Sequence, residues 1–208
     1  MADRLTLPDG TGLWVWPLLK TDRRALAAEF QQLSPESARH RFLGPVMHLT
    51  EAMLQHLVDD VDGVDHVALV VMGETESHDV VPVAIGRIVR YPDQPDAADL
   101  AVTVKDDWQG RGVASVLVPM LVAHRPPGVT RLLTEVSVDN PASLSMLRHV
   151  GPMRTDFDDQ GGCAVEVQLP SLPAGGSPVA VGTDERPAGW RSDLHSRDQV
   201  CPWFRRGA

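Results

Sequence analysis

The sequence predicts an α/β protein: a mixed, mostly antiparallel central sheet flanked by helices, with an irregular C-terminal tail. Three observations carry this. Residues 66–72 (HVALVVM) are a near-continuous apolar run bounded by turn residues, as a strand buried on both faces requires. After Gly112, Val113, Val116, Leu117, Met120 and Leu121 recur at the spacing of one buried helix face. The order of periodic segments runs strand, helices, three strands, helix, strand, helix, two strands, which interleaves helices with strands.

Each element has a local reason. Residues 11–19 (TGLWVWPLL) read as a strand with Trp14 and Trp16 on one face. Thr21 is placed to cap a helix reaching Leu33, with Leu26, Phe30 and Leu33 on one stripe. Ser34 followed by Pro35 is a second start, a cap with proline at the first helical position. Thr50-Glu51 opens a third short helix, to about Val58, and residues 59–65 form an acidic turn. Strands follow at 66–72, 80–90 and 98–104, separated by loops at 73–79 and 91–96. Pro119 interrupts the helix after Gly112, removing the hydrogen bond to the Ser115 carbonyl, but it points away from the apolar stripe. A strand at 132–138, a helix at 141–149 ending near Gly151, and a hairpin of 153–157 with 163–169 around Gln160-Gly161-Gly162 complete the pattern.

The chain of 208 residues divides into a folded unit, 1–169, and a tail, 170–208, in which five Pro and five Gly fall without periodicity. Hydrophobic residues make up 43% and charged residues 23%, an ordinary globular balance. No apolar run approaches the ~20 residues of a membrane span, and the N-terminus lacks a signal-peptide pattern, so the expectation is a cytoplasmic protein with no membrane partner. Cys163 and Cys201 cannot form a cysteine-rich metal site, the histidines show no zinc-like spacing, and Asp59, Asp60, Asp62 and Asp65 lack a calcium loop's Glu, so no metal is expected. The net charge of −9 gives no basic footprint for nucleic acid. An acidic body suits cationic substrates such as amines, although plain solubility is the stronger explanation of it.

The segment that carries chemistry is residues 98–115, ADLAVTVKDDWQGRGVAS. A strand leads through a polar turn into Gln109-Gly110-Arg111-Gly112-Val113-Ala114-Ser115, which opens a helix. Unpaired amides at a helix start bind anions, glycines let a phosphate approach the backbone, and Arg111 adds charge. The spacing is neither a Walker loop nor a dinucleotide fingerprint.

Gln-Gly-x-Gly-x-Ala after a Val-x-Val strand resembles the acyl-CoA loop of the GCN5-related N-acetyltransferase (GNAT) superfamily. The later block agrees, where strand 134–138 leads to Asn140, Ser143 and Gly151. Leu33-Ser34-Pro35-Glu36-Ser37 with Arg39, Arg41 and Phe42, together with residues 106–112 (DDWQGRG), is similar to the catalytic domain of Pat-type bacterial protein-lysine acetyltransferases. Those proteins often carry a cyclic-nucleotide-binding or acyl-CoA-synthetase-like domain, neither of which fits this length. The resemblance implies an N-acetyltransferase using acetyl-CoA as acyl donor and a primary amine, protein lysine ahead of a small molecule, as acceptor. It implies that Val102, Thr103 and Val104 pair with the pantetheine arm and that the amides of Gln109, Gly110, Arg111, Gly112, Val113, Ala114 and Ser115 hold the pyrophosphate. Asn140 and Ser143 would contact the far end of the arm, and the Val104 amide would stabilise the oxyanion. Apart from the resemblance, the apolar residues 200–204 beside Arg205 and Arg206 give two expectations for the tail: docking on the catalytic domain or on a second subunit in a homodimer, or a disordered extension.

An alkyl ammonium, with a pKa of about 10.4, must lose a proton before it attacks, so a base is required. Asp99 is the candidate, where Pat-type enzymes place Glu; one methylene shorter, it calls for a bridging water. Strand parity puts Asp99, Ala101 and Thr103 on one face and Leu100, Val102 and Val104 on the other. The alternative is that Asp99 merely ends the loop 91–96 and faces water. Arg39 and Arg41 either line the acceptor entrance or are helix-surface charges. The position where many relatives carry a tyrosine acid is Leu147, and the only tyrosine, Tyr91, is read in a loop. The rival function is a non-catalytic acyl-CoA-binding module.

Overall fold

The computed structural model describes residues 4–158 and 161–171. Most of the proposed tail therefore lies outside the described residues, as do Gln160 of the expected turn and the docking segment at 200–204.

Eight strands form one sheet in the order β1-β2-β3-β4-β5-β6-β8-β7. They are β1 (Leu5–Thr6), β2 (Gly12–Pro17), β3 (His66–Glu74), β4 (Val80–Tyr91), β5 (Gln94–Val104), β6 (Arg131–Ser137), β7 (Met153–Phe157) and β8 (Gly162–Gln168). All neighbours pair antiparallel except β5 with β6, which are parallel. The helices are α1 (Arg23–Phe30), α2 (Pro35–Phe42), α3 (Glu51–Leu54, continued as a π-helical turn over Gln55–Asp59), α4 (Val113–Ala123) and α5 (Pro141–Arg148).

Three of the helix starts follow from their caps. Ser34 Oγ accepts from the Ser37 amide at 3.2 Å with Pro35 next in line, Thr50 Oγ1 accepts from Met53, and Asn140 Oδ1 accepts from Ser143 at 3.1 Å. Thr21 does not cap. A 3₁₀ turn over Lys20–Asp22 precedes α1, so the N-cap position falls on Asp22, whose carboxylate turns back to the Leu19 amide at 2.8 Å and caps no α1 amide. The helix runs from Arg23 only to Phe30, short of the expected Leu33.

The sheet separates two cores. On one face α4 and α5 bury Leu117, Leu121, Leu144 and Leu147 against Ile88, Leu100 and Leu132. Gly86 has no side chain because a Cβ there would stand 2.5 Å from Leu121 Cδ1. Pro119 is exposed, so the apolar stripe of α4 survives it. On the other face Trp16, Leu57, Val70, Met72 and Ile85 pack beneath α1–α3.

Strand β5 begins four residues earlier than expected. Residues 91–96 are not a loop: β4 and β5 turn over Pro92 and Asp93 alone. Pro95 is tolerated because the register is irregular at Arg90/Tyr91, where a ladder donor is not required. β3 and β4 also shift register between Val71 and Met72, leaving Val83 as the extra residue.

Candidate active site

The β5–β6 ladder contains two residue pairs, Ala97 with Arg131 and Ala98 with Leu132. Beyond them the strands part. Two side chains bridge the gap near its closed end: Thr134 Oγ1 donates to the Leu100 carbonyl at 3.2 Å, and Tyr91 Oη donates to the Leu133 carbonyl at 3.0 Å.

The register of β5 on β4 determines what faces this gap. Lys105 N donates to Val83 O, which makes the odd-numbered residues of β5 the hydrogen-bonded partners of β4. The peptide groups of Leu100, Val102 and Val104 therefore turn toward β6. The Leu100 carbonyl is taken by Thr134, and the Val104 carbonyl by Gln109 Nε2 at 3.1 Å. The amides of Val102 and Val104 are left facing the gap, where the ladder to β6 has already ended.

At the open end of the gap lies the loop into α4. Gly110 (φ +71°) and Gly112 (φ +94°) hold left-handed conformations that favour glycine. Gly112 is the N-cap and supplies no side chain, so the first amides of α4, at Val113, Ala114 and Ser115, are not capped from within. A Cβ at Gly110 would meet nothing within 4 Å, so space remains above the turn. This arrangement fits the pyrophosphate and pantetheine arm of an acyl-CoA: an eleven-residue helix start with uncapped amides, then an unfinished strand edge.

The loop is anchored from both sides. Trp108 is buried in the α4 core, and a Cβ at Gly73 would lie 2.5 Å from its ring. Arg111 stacks over Trp108 at 4.3 Å and donates to Asp9 at 2.8 Å and Thr11 at 2.8 Å. Asp106 accepts from Ser34 N at 3.0 Å, Ser34 Oγ at 2.8 Å and Ser37 Oγ at 2.7 Å, tying the start of α2 to the loop. Burial raises the Asp106 pKa, but the Ser37 and Ser34 donors outweigh it and the net shift is downward. Asn140 and Ser143 meet in the α5 cap at the end of the β6 arm.

The other face of β5 carries side chains. Asp99 lies in mid-strand, half-buried and opposite Val89, so it does not end a loop. Thr103 lines a cavity of ≈ 80 Å³ between the sheet and α1–α2, together with Phe30, Phe42, Val70 and Ile85. Two arginines, Arg41 and Arg87, share this lining. Arg87 is 4% exposed; it donates to the Leu57 carbonyl at 3.2 Å and sits 3.4 Å from His66 Nε2. The π-helical turn leaves that carbonyl available, because the Asp62 amide goes to the His66 carbonyl instead. Burial, then the neighbouring Arg41, pulls the Arg87 pKa down to about 9, while Asp99 opposes the shift. Burial and then the charges of Arg87 and His56 press His66 down to about 4, which keeps it neutral. Burial, then Asp99, raises the Tyr91 pKa.

Arg39, in contrast, pairs with Asp139 at 2.6 Å on the surface, and Glu29 holds Lys105 at 2.6 Å. Leu147 is buried in the core, and Tyr91 ends β4. Arg87 escaped the sequence reading; its signal was a lone arginine in the apolar run VAIGRIV. Among the described residues no cluster of three His, Cys, Asp or Glu could hold a metal, and no helix is long and apolar enough to cross a membrane.

No family model matches the chain. It is similar to the acetyltransferase Pat of Mycolicibacterium smegmatis, 32% identical over 165 residues that cover 78% of this chain and 48% of that protein. The chain thus spans about half of that relative's length. An acetyltransferase of Pseudomonas aeruginosa is 30% identical over 142 residues, covering 68% of this chain and 73% of its own. The crystal structure of the GNAT domain of S. lividans PAT superposes with a TM-score of 0.69 at 28% identity, covering 81% of this chain and 97% of that one. The parted strands, the glycine-opened helix and these likenesses converge: the chain belongs to the GNAT superfamily of N-acetyltransferases, on its Pat-like branch.

Proposed function

We propose that the protein transfers an acetyl group from acetyl-CoA to a primary amine, with a protein lysine as the favoured acceptor. The observation that carries this is the juxtaposition on one strand: β5 turns free amides toward the gap and a carboxylate, Asp99, toward the opposite face. Acetyl-CoA supplies an activated thioester carbonyl. The amides of residues 110–115 hold its pyrophosphate, the expected Gln109 amide being taken instead by the Asp106 carbonyl at 3.2 Å. Arg111 adds attraction from its place against Asp9, and the Val104 amide, nearest the loop, holds the arm. Asn140 and Ser143 border the arm's far end.

The amine attacks the carbonyl carbon, a C–N bond forms, and the C–S bond breaks. Asp99 collects the amine proton through a bridging water. The Val102 amide, three residues from Asp99 along the strand, stabilises the oxyanion in the transition state in place of the expected Val104 amide, which lies ~16 Å along β5 from Asp99. The thiolate, with a thiol pKa of about 8–9, leaves without an obligatory acid, in keeping with Leu147 where relatives place tyrosine. Likeness to Pat proteins supports the lysine acceptor.

The test is thiol release from acetyl-CoA with lysine-containing proteins and small amines. Asp99→Asn is expected to keep acetyl-CoA affinity and lower turnover by roughly 10²–10⁴-fold. A near-native pH–rate profile in that variant would place the base elsewhere. Acetyl-CoA binding without turnover of any amine would leave only a binding module.

A further inference from the structure

The cavity beneath α1 and α2 contains an imbalance that acyl transfer to a simple amine does not explain. Its wall is mostly apolar, yet Arg41 and Arg87 both reach it. Arg87 is satisfied by groups without charge, the Leu57 carbonyl and neutral His66. Arg41 lies 4.9 Å from the Phe42 ring centroid, and among the described residues no acceptor lies within hydrogen-bond distance of its guanidinium. The other charges around the cavity are committed. Glu29 holds Lys105, and Asp22 takes the Leu19 amide. Asp99 acts on both arginines through space without bonding to either.

The two cations repel each other; Arg87 is buried away from water while Arg41, part-buried, is the one a ligand can reach, an arrangement that an anion relieves. A guanidinium presents a planar fork matched to a carboxylate. We propose that this cavity is a carboxylate subsite for the acceptor: the molecule that brings the amine to Asp99 also carries a carboxylate, which docks on Arg41 with Arg87 behind it. The inference rests on the transferase reading and narrows its substrate class. The carboxylate belongs either to a free amino acid or to an acidic residue beside the target lysine.

The experiment compares matched acceptors on the full chain. One arm sets 4-aminobutyrate against its neutral amide; the other sets a lysine peptide flanked by Glu against the same peptide flanked by Gln. A preference of at least about tenfold in kcat/KM for the carboxylate member of one pair is expected, and the arm that shows it identifies the source. Arg41→Leu is expected to abolish that preference through the acceptor KM, leaving the acetyl-CoA KM unchanged. Arg41→Lys, with charge but no fork, is expected to restore part of it. Calorimetric titration with 4-aminobutyrate and with the Glu-flanked peptide gives a readout independent of turnover. Arg41-dependent binding without catalysis supports the subsite while refuting the transferase reading. Equal use of both members in both pairs by the wild type, with no effect of Arg41→Leu, overturns the subsite. So does a preference for succinyl-CoA over acetyl-CoA that depends on Arg41 while acceptors are not distinguished, because the carboxylate would then belong to the donor.

Discussion

On the edge of β5 that faces β6, the groups available to a ligand are backbone amides, presented by a strand whose ladder has ended and a helix without a cap. On the face toward α1 and α2 they are side chains: Asp99, Thr103, Arg41 and Arg87, drawn from three elements. The first kind of site depends on local conformation and accepts a constant partner such as a pyrophosphate. The second depends on which residues the fold brings together, so it can change by single substitutions without disturbing the first. One strand thereby separates an invariant chemistry from an adjustable one.

The contrast can be broken in three places, in decreasing order of effect. The acceptor face contains a buried neutral histidine, so its integrity should depend on pH. His66 has a folded pKa of about 4 against 6.5 unfolded. The unfolded chain therefore binds the proton first as pH falls, and stability is full above about 6.5 and lost toward 4, by roughly 3 kcal/mol at most. Denaturant titrations across that window should show the decline, and His66→Gln should flatten it. A decline of the same size in His66→Gln would assign it to other groups.

The next effect belongs to the donor edge. Gly112→Ala forces a side chain into φ +94°, at a cost of roughly 1–2 kcal/mol. Acetyl-CoA affinity by calorimetry should fall about tenfold as the α4 amides shift, the equivalent of ~1.4 kcal/mol. The acceptor KM should not move; if it does, the two sides are not separable. The smallest effect is expected at Arg111. Its charge is already met by Asp9, so Arg111→Ala should weaken acetyl-CoA by only about two- to fivefold, well under the tenfold of a direct charge-assisted contact. A larger loss would mean that Arg111 leaves Asp9 for the phosphates.

The same contrast explains what could be read from the residue string. Gly110 and Gly112 announce a left-handed turn at a helix start, and Ser34, Thr50 and Asn140 announce caps, because those requirements are local. Thr21 misleads because it lies inside the 3₁₀ turn, so the cap position passes to Asp22, one residue on. Pro92 and Pro95 suggest a loop, but a register irregularity absorbs the missing donor and lets β5 start at Gln94. That correction moves Asp99 from a strand end into the strand's middle. The meeting of Arg41 with Arg87 was not legible at all, since it depends on α2 packing onto the sheet at β5, the strand beside β4.

The short β5–β6 ladder has a mechanical consequence. A ladder of two residue pairs, the Arg131 contacts to Asp96 and Gln94, and the Thr134 and Tyr91 bridges join a five-stranded plate to a three-stranded one, and packed side chains on the α4 face carry the remaining load between them. An extended molecule lying in that seam extends the backbone bonding of the sheet itself, acting as a temporary ninth strand. The hydrogens on Val102 and Val104 would then trade with solvent freely while the seam is open and slowly once it is filled, so the two plates would be stiffest while the enzyme is at work.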